Sequence, residues 1–214
     1  MRKKKPKKAT PKGAKKGSNK ADARGEAFEL KVTLHHSDPP IWRRFEISSR
    51  ATLADLHNVL QIVMEWEDSH LHEFVIQDNR RFRAPNWLTG EVTMTAGDDV
   101  SDARNIELAQ LKDELRETIV YVYDFGDDWT HVIELVNVRP ATSDDQAPVV
   151  LEGKLASPLE DCGGVWGYYE MVESLKDPED GQHEEMLEWV GEEFDPESYD
   201  LKQVNKRLRQ HASS

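Results

Sequence analysis

The run Tyr121-Val122-Tyr123-Asp124-Phe125-Gly126-Asp127-Asp128-Trp129-Thr130-His131 constrains the fold of this chain more than any other stretch. It joins two β-rich runs, Thr118–Tyr123 and Trp129–Val138. Gly126 reaches backbone angles barred to other residues, and Asp127 favours turns. A hairpin bending at Phe125–Asp128 follows. Side chains alternate faces along a strand, so Trp129, His131, Ile133 and Leu135 share one face of the outgoing strand. Tyr121 and Tyr123 share a face of the incoming one. An antiparallel pair is therefore required, with Asp124, Asp127 and Asp128 at its bend.

The sequence before that run supplies a second hairpin. Phe28, Leu30, Val32 and Leu34 alternate with polar residues, and Ile41, Arg43, Phe45 and Ile47 do so again after the break Ser37-Asp38-Pro39-Pro40. Thr52 reads as a helix N-cap with Asp55 in the first turn. Leu53, Leu56, Leu60, Val63 and Met64 then form one apolar face of a helix ending near Trp66. Leu71–Gln77 reads as a third strand, Asp78–Val100 as a long irregular insertion, and Ile106–Asp113 as a short helix. Residues 139–148 read as a polar loop. Three helical runs close the chain: Val165–Leu175, Gln182–Val190 and Asp200–Leu208. Asp195-Pro196 reads as an N-cap followed by a first-turn proline. The expected architecture is α+β, with a mixed or antiparallel sheet, a β-grasp-like hairpin–helix core and C-terminal helices.

Charge divides the chain. Residues 1–20 hold Arg2, nine lysines and no acid, whereas the whole chain carries 28 Lys and Arg against 41 Asp and Glu. Residues 1–25 are low-complexity and expected to be a disordered basic tail, followed by one domain over 26–212. The tail reads either as an arm for nucleic acid or an acidic partner, or as a solubilising segment. The acidic body argues against a broad nucleic-acid surface and favours cations or basic partners. No apolar run spans a bilayer, and no apolar segment follows the basic stretch as in a secretory signal, so no membrane partner is expected. The single cysteine, Cys162, excludes an internal disulfide and a multi-cysteine zinc site. A reducing cytoplasm is the simplest expected compartment.

Three clusters carry a family resemblance. The first is Pro40-Ile41-Trp42-Arg43-Arg44, with Leu53-Ala54-Asp55-Leu56-His57 and His70-Leu71-His72-Glu73-Phe74 after it. The second is Tyr123–His131. The third is Pro158-Leu159-Glu160-Asp161-Cys162-Gly163-Gly164 with Gly167-Tyr168, and Phe194-Asp195-Pro196-Glu197 and Val204-Asn205 add to it. Over about residues 27–210 the chain resembles the Ri-plasmid open-reading-frame-three-like family, some members of which are labelled TnpR family passenger proteins. The resemblance implies a compact α+β domain in plasmid and mobile-element contexts, without an established activity. No Ser/Arg cluster of the serine-recombinase type supports the resolvase label. Members of that family often have a cysteine where this chain has Ser157, which puts a cysteine-pair site in doubt.

The chemistry of these motifs leaves several readings open. Asp124 and Asp127 with His131 suit a divalent cation or general acid–base work, or else cap the turn and fill the core. His70 and His72, two apart on a strand, share a face able to chelate one ion. His70, His72, Asp124, Asp127 and His131 thus form the candidate metal set; no cofactor is otherwise implied. His57 is a further candidate, or lines the core boundary. Glu160, Asp161, Cys162, Gly163 and Gly164 lead into a helix whose N–H groups suit an anion or a thiolate, with His131 or His72 as base; the bland alternative is Asp161 as helix cap. Trp42-Arg43-Arg44 and Arg80-Arg81-Phe82-Arg83 suit phosphate or nearby acids. Trp66, Trp87, Trp166 and Trp189 read as core or pocket wall.

The leading reading is a binding or accessory domain whose surface joins Tyr123, Asp124, Asp127, Asp128, Trp129 and His131 to Glu160–Gly164. The alternatives are a metal-dependent hydrolase or nuclease-like enzyme, and a nucleic-acid-associated protein acting through its arm.

Overall fold

In the computed structural model, residues 25–85, 100–143, 145, 147–191 and 194–213 are described. The basic tail and Trp87 lie outside them. The first hairpin forms as β1 (Glu26–Leu34) and β2 (Trp42–Ser48), paired antiparallel with Leu30 opposite Phe45. Helix α1 (Leu53–Val63) starts at a capping box: Thr52 Oγ1 accepts from Asp55 N, and the Asp55 carboxylate accepts from Thr52 N. It stops earlier than the apolar period suggests, because Glu65 takes a left-handed conformation with φ 60°.

Strand β3 (His72–Val75) leads into β4 (Arg81–Arg83), and β5 (Val100–Asp102) pairs parallel with β4. The stretch expected to be an irregular insertion thus holds a sheet strand and ends at another. The short helix is displaced: a 3₁₀ turn, Leu108–Leu111, runs into α2 (Lys112–Glu117). The second hairpin is β6 (Ile119–Tyr123) with β7 (Trp129–Pro140), Tyr121 opposite His131. Strand β8 (Val149–Lys154), which the sequence pattern does not announce, follows. Helices α3 (Gly164–Lys176), α4 (His183–Val190) and α5 (Leu201–His211) close the chain.

Among the described residues eight strands make one mixed sheet in the order β5-β4-β3-β6-β7-β1-β2-β8, so the fold is α+β. The hairpin-then-helix unit is present, but a β-grasp likeness is not established beyond it. Phe28, Phe45, Leu56, Leu60, Phe74, Tyr121 and Trp129 are buried in a single core. Asn205 of α5 finishes the β8 edge, accepting from Val150 N at 2.7 Å and donating to Val150 O at 2.9 Å. Asp195 caps no helix: its side chain accepts from Glu197 N in a turn, and Asp200 caps α5 by accepting from Lys202 N and Gln203 N.

The basic-aromatic elements serve the fold. Arg43 is fully buried, donates to the carbonyls of Val63, Trp42 and Lys154 and to Ser157 Oγ, and stacks 3.7 Å over Tyr199. It pairs with carbonyls, where acids were expected, and its planar fork suits that role. Ser157 occupies the position of the expected family cysteine and here accepts from the guanidinium. Arg44 pairs with Glu29 and Glu152, Arg80 with Glu114, and Arg81 and Arg83 with Glu73.

Candidate functional site

The antiparallel registers bring the β6–β7 bend, the α1–β3 loop and the 155–163 segment that precedes α3 to one end of the sheet, where the β1–β2 turn also lies. Asp124 ends β6 in a left-handed conformation, φ 55°, and its Oδ1 accepts from Gly126 N at 2.9 Å. Asp124 N in turn donates to Leu71 O, which fastens the bend to the start of β3.

The bend meets the turn before α3 directly. Asp127 Oδ2 accepts from Gly163 N at 3.1 Å. The positive end of α3, expected to suit an anion, therefore receives a carboxylate of its own chain. A Cβ on Gly164 would fall on the Asp127 carbonyl oxygen, so glycine is what allows this approach. Asp161 is no helix cap. Its carboxylate lies 3.2 Å from His70 Nε2, whose Nδ1 lies 3.7 Å from Asp124 Oδ2. Glu160 accepts from the Tyr123 hydroxyl and from Glu67 N, and Trp66 Nε1 donates to Pro158 O. The two motifs thus form one continuous seam, crossed by His70.

Around the seam the backbone departs repeatedly from ordinary angles. Glu65, Asp68, Asp124, Asp128 and Asp161 all take φ between 53° and 60°. Such conformations cost energy in non-glycine residues, least in Asp, and gather at sites that must hold a fixed shape. Leu71, Phe125 and Trp166, each within two residues of a seam residue, are exposed at 73%, 48% and 74%. Trp166 is therefore not core; Trp189, half exposed, is pocket wall beside Asp161 and Cys162, and Trp66 is core.

The five residues of the candidate metal set are divided. His70 and Asp124 meet with Asp161; their ligand atoms lie within 4.8 Å of one another. Asp127 is spent on Gly163. His131 is fully buried, its Nδ1 bonded to Trp129 O at 2.9 Å, with Trp66 edge-on to its ring. Burial pushes its pKa down to about 4. His72 does not join them: it stacks on His57, ring centres 3.5 Å apart and planes 10° from parallel. Both rings lie against the face that carries Tyr121 and Tyr123, but they meet different partners, His70 with Asp124 and Asp161 and His72 with His57 and Asp68. Cys162 is a poor nucleophile: burial, with Asp127 nearby, pushes its thiol up to about 12.

A second polar cluster involves residues the sequence reading did not join. His57 Nδ1 lies 2.8 Å from the Tyr121 hydroxyl, which accepts from Gln61 Nε2 at 3.0 Å. His57 Nε2 lies 2.8 Å from Asp68 Oδ1, and Asp68 N donates to Gln61 Oε1. Burial opposes the charge on Asp68, but the His57 hydrogen bond prevails and holds its carboxyl below the ordinary value. The 61/57 spacing on α1 is the one sequence signal that could have grouped Gln61 with His57.

The family described as plasmid pRiA4b ORF-3-like protein matches residues 26–203. The chain belongs to this family. A family relative from Sinorhizobium fredii (strain NBRC 101917 / NGR234), described as uncharacterized protein y4hQ, is 39% identical over 183 residues, 84% of this chain and 89% of that protein. The crystal structure of a protein of unknown function, MM3350 from Methanosarcina mazei Go1, is similar with a TM-score of 0.73 at 34% identity. It covers 84% of this chain and 97% of its own. Neither description states an activity. Among the described residues no helix is long and apolar enough to cross a membrane.

Proposed function

We propose that this domain is a non-enzymatic binding or accessory module, and that the seam of His70, Asp124, Asp127 and Asp161 is its binding surface for a basic partner segment. The observation that carries the reading is the meeting of the bend and the turn in one acidic strip, with large exposed apolar residues, Leu71, Phe125 and Trp166, close to its residues in sequence. Carboxylates beside large exposed apolar groups suit a peptide that alternates Lys or Arg with aliphatic side chains. The test is calorimetric titration of the full chain with such a peptide. Asp161→Asn and Phe125→Ser should each weaken binding at least about tenfold with the melting temperature held, since a buried interface contact is worth about 1.4 kcal/mol or more. Exposed Glu184 lies on α4, so Glu184→Gln should change nothing. Equal affinity across all variants overturns the reading.

A metal-dependent hydrolase or nuclease-like enzyme is the second reading. It is favoured by the grouping of His70, Asp124 and Asp161 ligand atoms. A divalent cation added to the same titration separates the two. Competition that disappears in Asp161→Asn supports the enzyme reading, and an unchanged isotherm supports the first.

A further inference from the structure

We infer that His57, Asp68 and His72 form a binding site for one borderline divalent metal ion of the Zn²⁺ class, separate from the seam and independent of the binding role proposed for it. His57 projects from α1, His72 opens β3, and Asp68 comes from the loop between them. Their ligand atoms lie within 4.8 Å of one another. Two imidazoles and one carboxylate are a donor set such ions take, with coordination positions left for water or substrate.

The second observation is His72 itself. It is 9% exposed, and its Nε2 is buried with no hydrogen-bond partner. A buried polar atom left unpaired gives up water with nothing in exchange, so its retention calls for an occupant.

The surroundings orient the other two donors. Tyr121 and Gln61 hold His57 on its far side, as outer partners of a metal-bound imidazole do. When His57 Nε2 binds an ion, the ring proton sits on Nδ1, and the Tyr121 hydroxyl accepts it as readily as it donates. Asp68 is bonded to the same helix through Gln61 Oε1, and its carboxylate is half exposed, which gives an ion its way in. As they stand, the stacked rings point their in-plane lone pairs side by side. A shared ion requires the His72 ring to turn about its side-chain bonds, and its Nε2 has no hydrogen bond to lose.

The test is titration of the full chain with Zn²⁺ after chelator treatment and dialysis. Imidazole nitrogen resonances are followed by NMR alongside calorimetry. One equivalent should bind at micromolar or lower concentration and move the Nε2 signals of His57 and His72. Asp68→Asn should weaken binding at least about tenfold. His72→Phe, which keeps a stacked ring, should abolish it. Asp161→Asn should leave it unchanged. The wild-type NMR readout stands even where a variant fails to fold. Absence of binding, or binding that moves only the His70 resonance, overturns the inference. So does an affinity indifferent to both Asp68→Asn and His72→Phe, in which case the orphan nitrogen is met by water alone.

Discussion

The seam and the histidine stack begin two residues apart on the chain, with His70 in one and His72 in the other, yet they are held by opposite means. In the seam the side chains are partly open to water: Asp161 is 73% exposed and His70 27%. What is fixed there is backbone, through left-handed aspartates and the contact of Gly164 with Asp127. In the stack the backbone of α1 and β3 is regular, with Asp68 alone left-handed at φ 58°, and what is fixed is a set of polar side chains, the histidines among them buried. A surface built on backbone shape tolerates changes of charge. A buried polar network tolerates almost none, because each unpaired atom there loses water without a replacement. Three measurements can break that contrast.

The largest effect is expected from Gly164→Ala. Its φ is 71°, and the new Cβ would fall on the Asp127 carbonyl oxygen. A left-handed alanine costs about 1–2 kcal/mol and an overpacked contact about 1–3 kcal/mol, so a loss of about 4 kcal/mol is expected in urea denaturation. Gly181, whose Cβ would meet nothing within 4 Å, should accept alanine at little cost. A mild Gly164→Ala would mean that the seam is not held by its backbone.

The second measurement addresses the buried histidines. Burial lowers His72 to about 3 and His131 to about 4, both below the ordinary 6.5. In the unfolded chain these rings take up protons as the pH falls through about 6.5, while the folded protein resists until about 4 and 3. The unfolded state therefore gains protons first, and stability declines as the pH drops from about 6.5 towards 4. By pH 5, before most carboxylates titrate, each ring accounts for about 2 kcal/mol, so a loss of about 4 kcal/mol relative to pH 7.5 is expected. His131→Phe should flatten part of that slope. A flat profile between pH 7.5 and 5 in the wild-type chain would show that the stack admits charge and is not as closed as the contrast requires.

How much of this the sequence discloses depends on how local each cause is. The β1–β2 and β6–β7 hairpins and the start of α1 rest on alternation, turn residues and a capping box, all within a few positions of one another, and they form where the pattern puts them. Strand β8 is missed because Val149–Lys154 has no clean alternation; its place is set by β2 on one side and Asn205 of a distant helix on the other. Asp195-Pro196 misleads because an aspartate that caps a turn looks in sequence like one that caps a helix. At the site, the importance of the bend and of the Glu160–Gly164 turn is legible from residue type. Which acid meets which histidine is not. His70 and His72 look equivalent in sequence, and what separates them comes from distant segments: Asp124 and Asp161 reach His70, whereas His57 and Asp68 reach His72. Asp68 carries no motif; it reaches His57 because Asp68 N bonds back to Gln61.

The smallest effects give the most direct comparison, since one polar group is removed from each region. Tyr121→Phe takes a hydroxyl from the stack, leaving His57 Nδ1 and Gln61 Nε2 facing a ring edge at full burial. Two groups left unsatisfied, partly offset because the buried hydroxyl no longer has to be desolvated, should cost about 1.5 kcal/mol. Asp161→Asn takes one charge from the seam. Its contact with His70 Nε2 at 3.2 Å is not aligned as a hydrogen bond, and the carboxylate stays largely hydrated. Exposed ion pairs contribute about 0–1 kcal/mol, so the change in the urea midpoint should correspond to less than about 0.5 kcal/mol. The double variant should equal the sum of the two, because additivity is what independent regions predict. A coupling larger than about 0.5 kcal/mol would join seam and stack into one network through the His70–Leu71–His72 strand entry. The charge on the open side would then be felt by the buried rings, and the two sites would have to be treated as one.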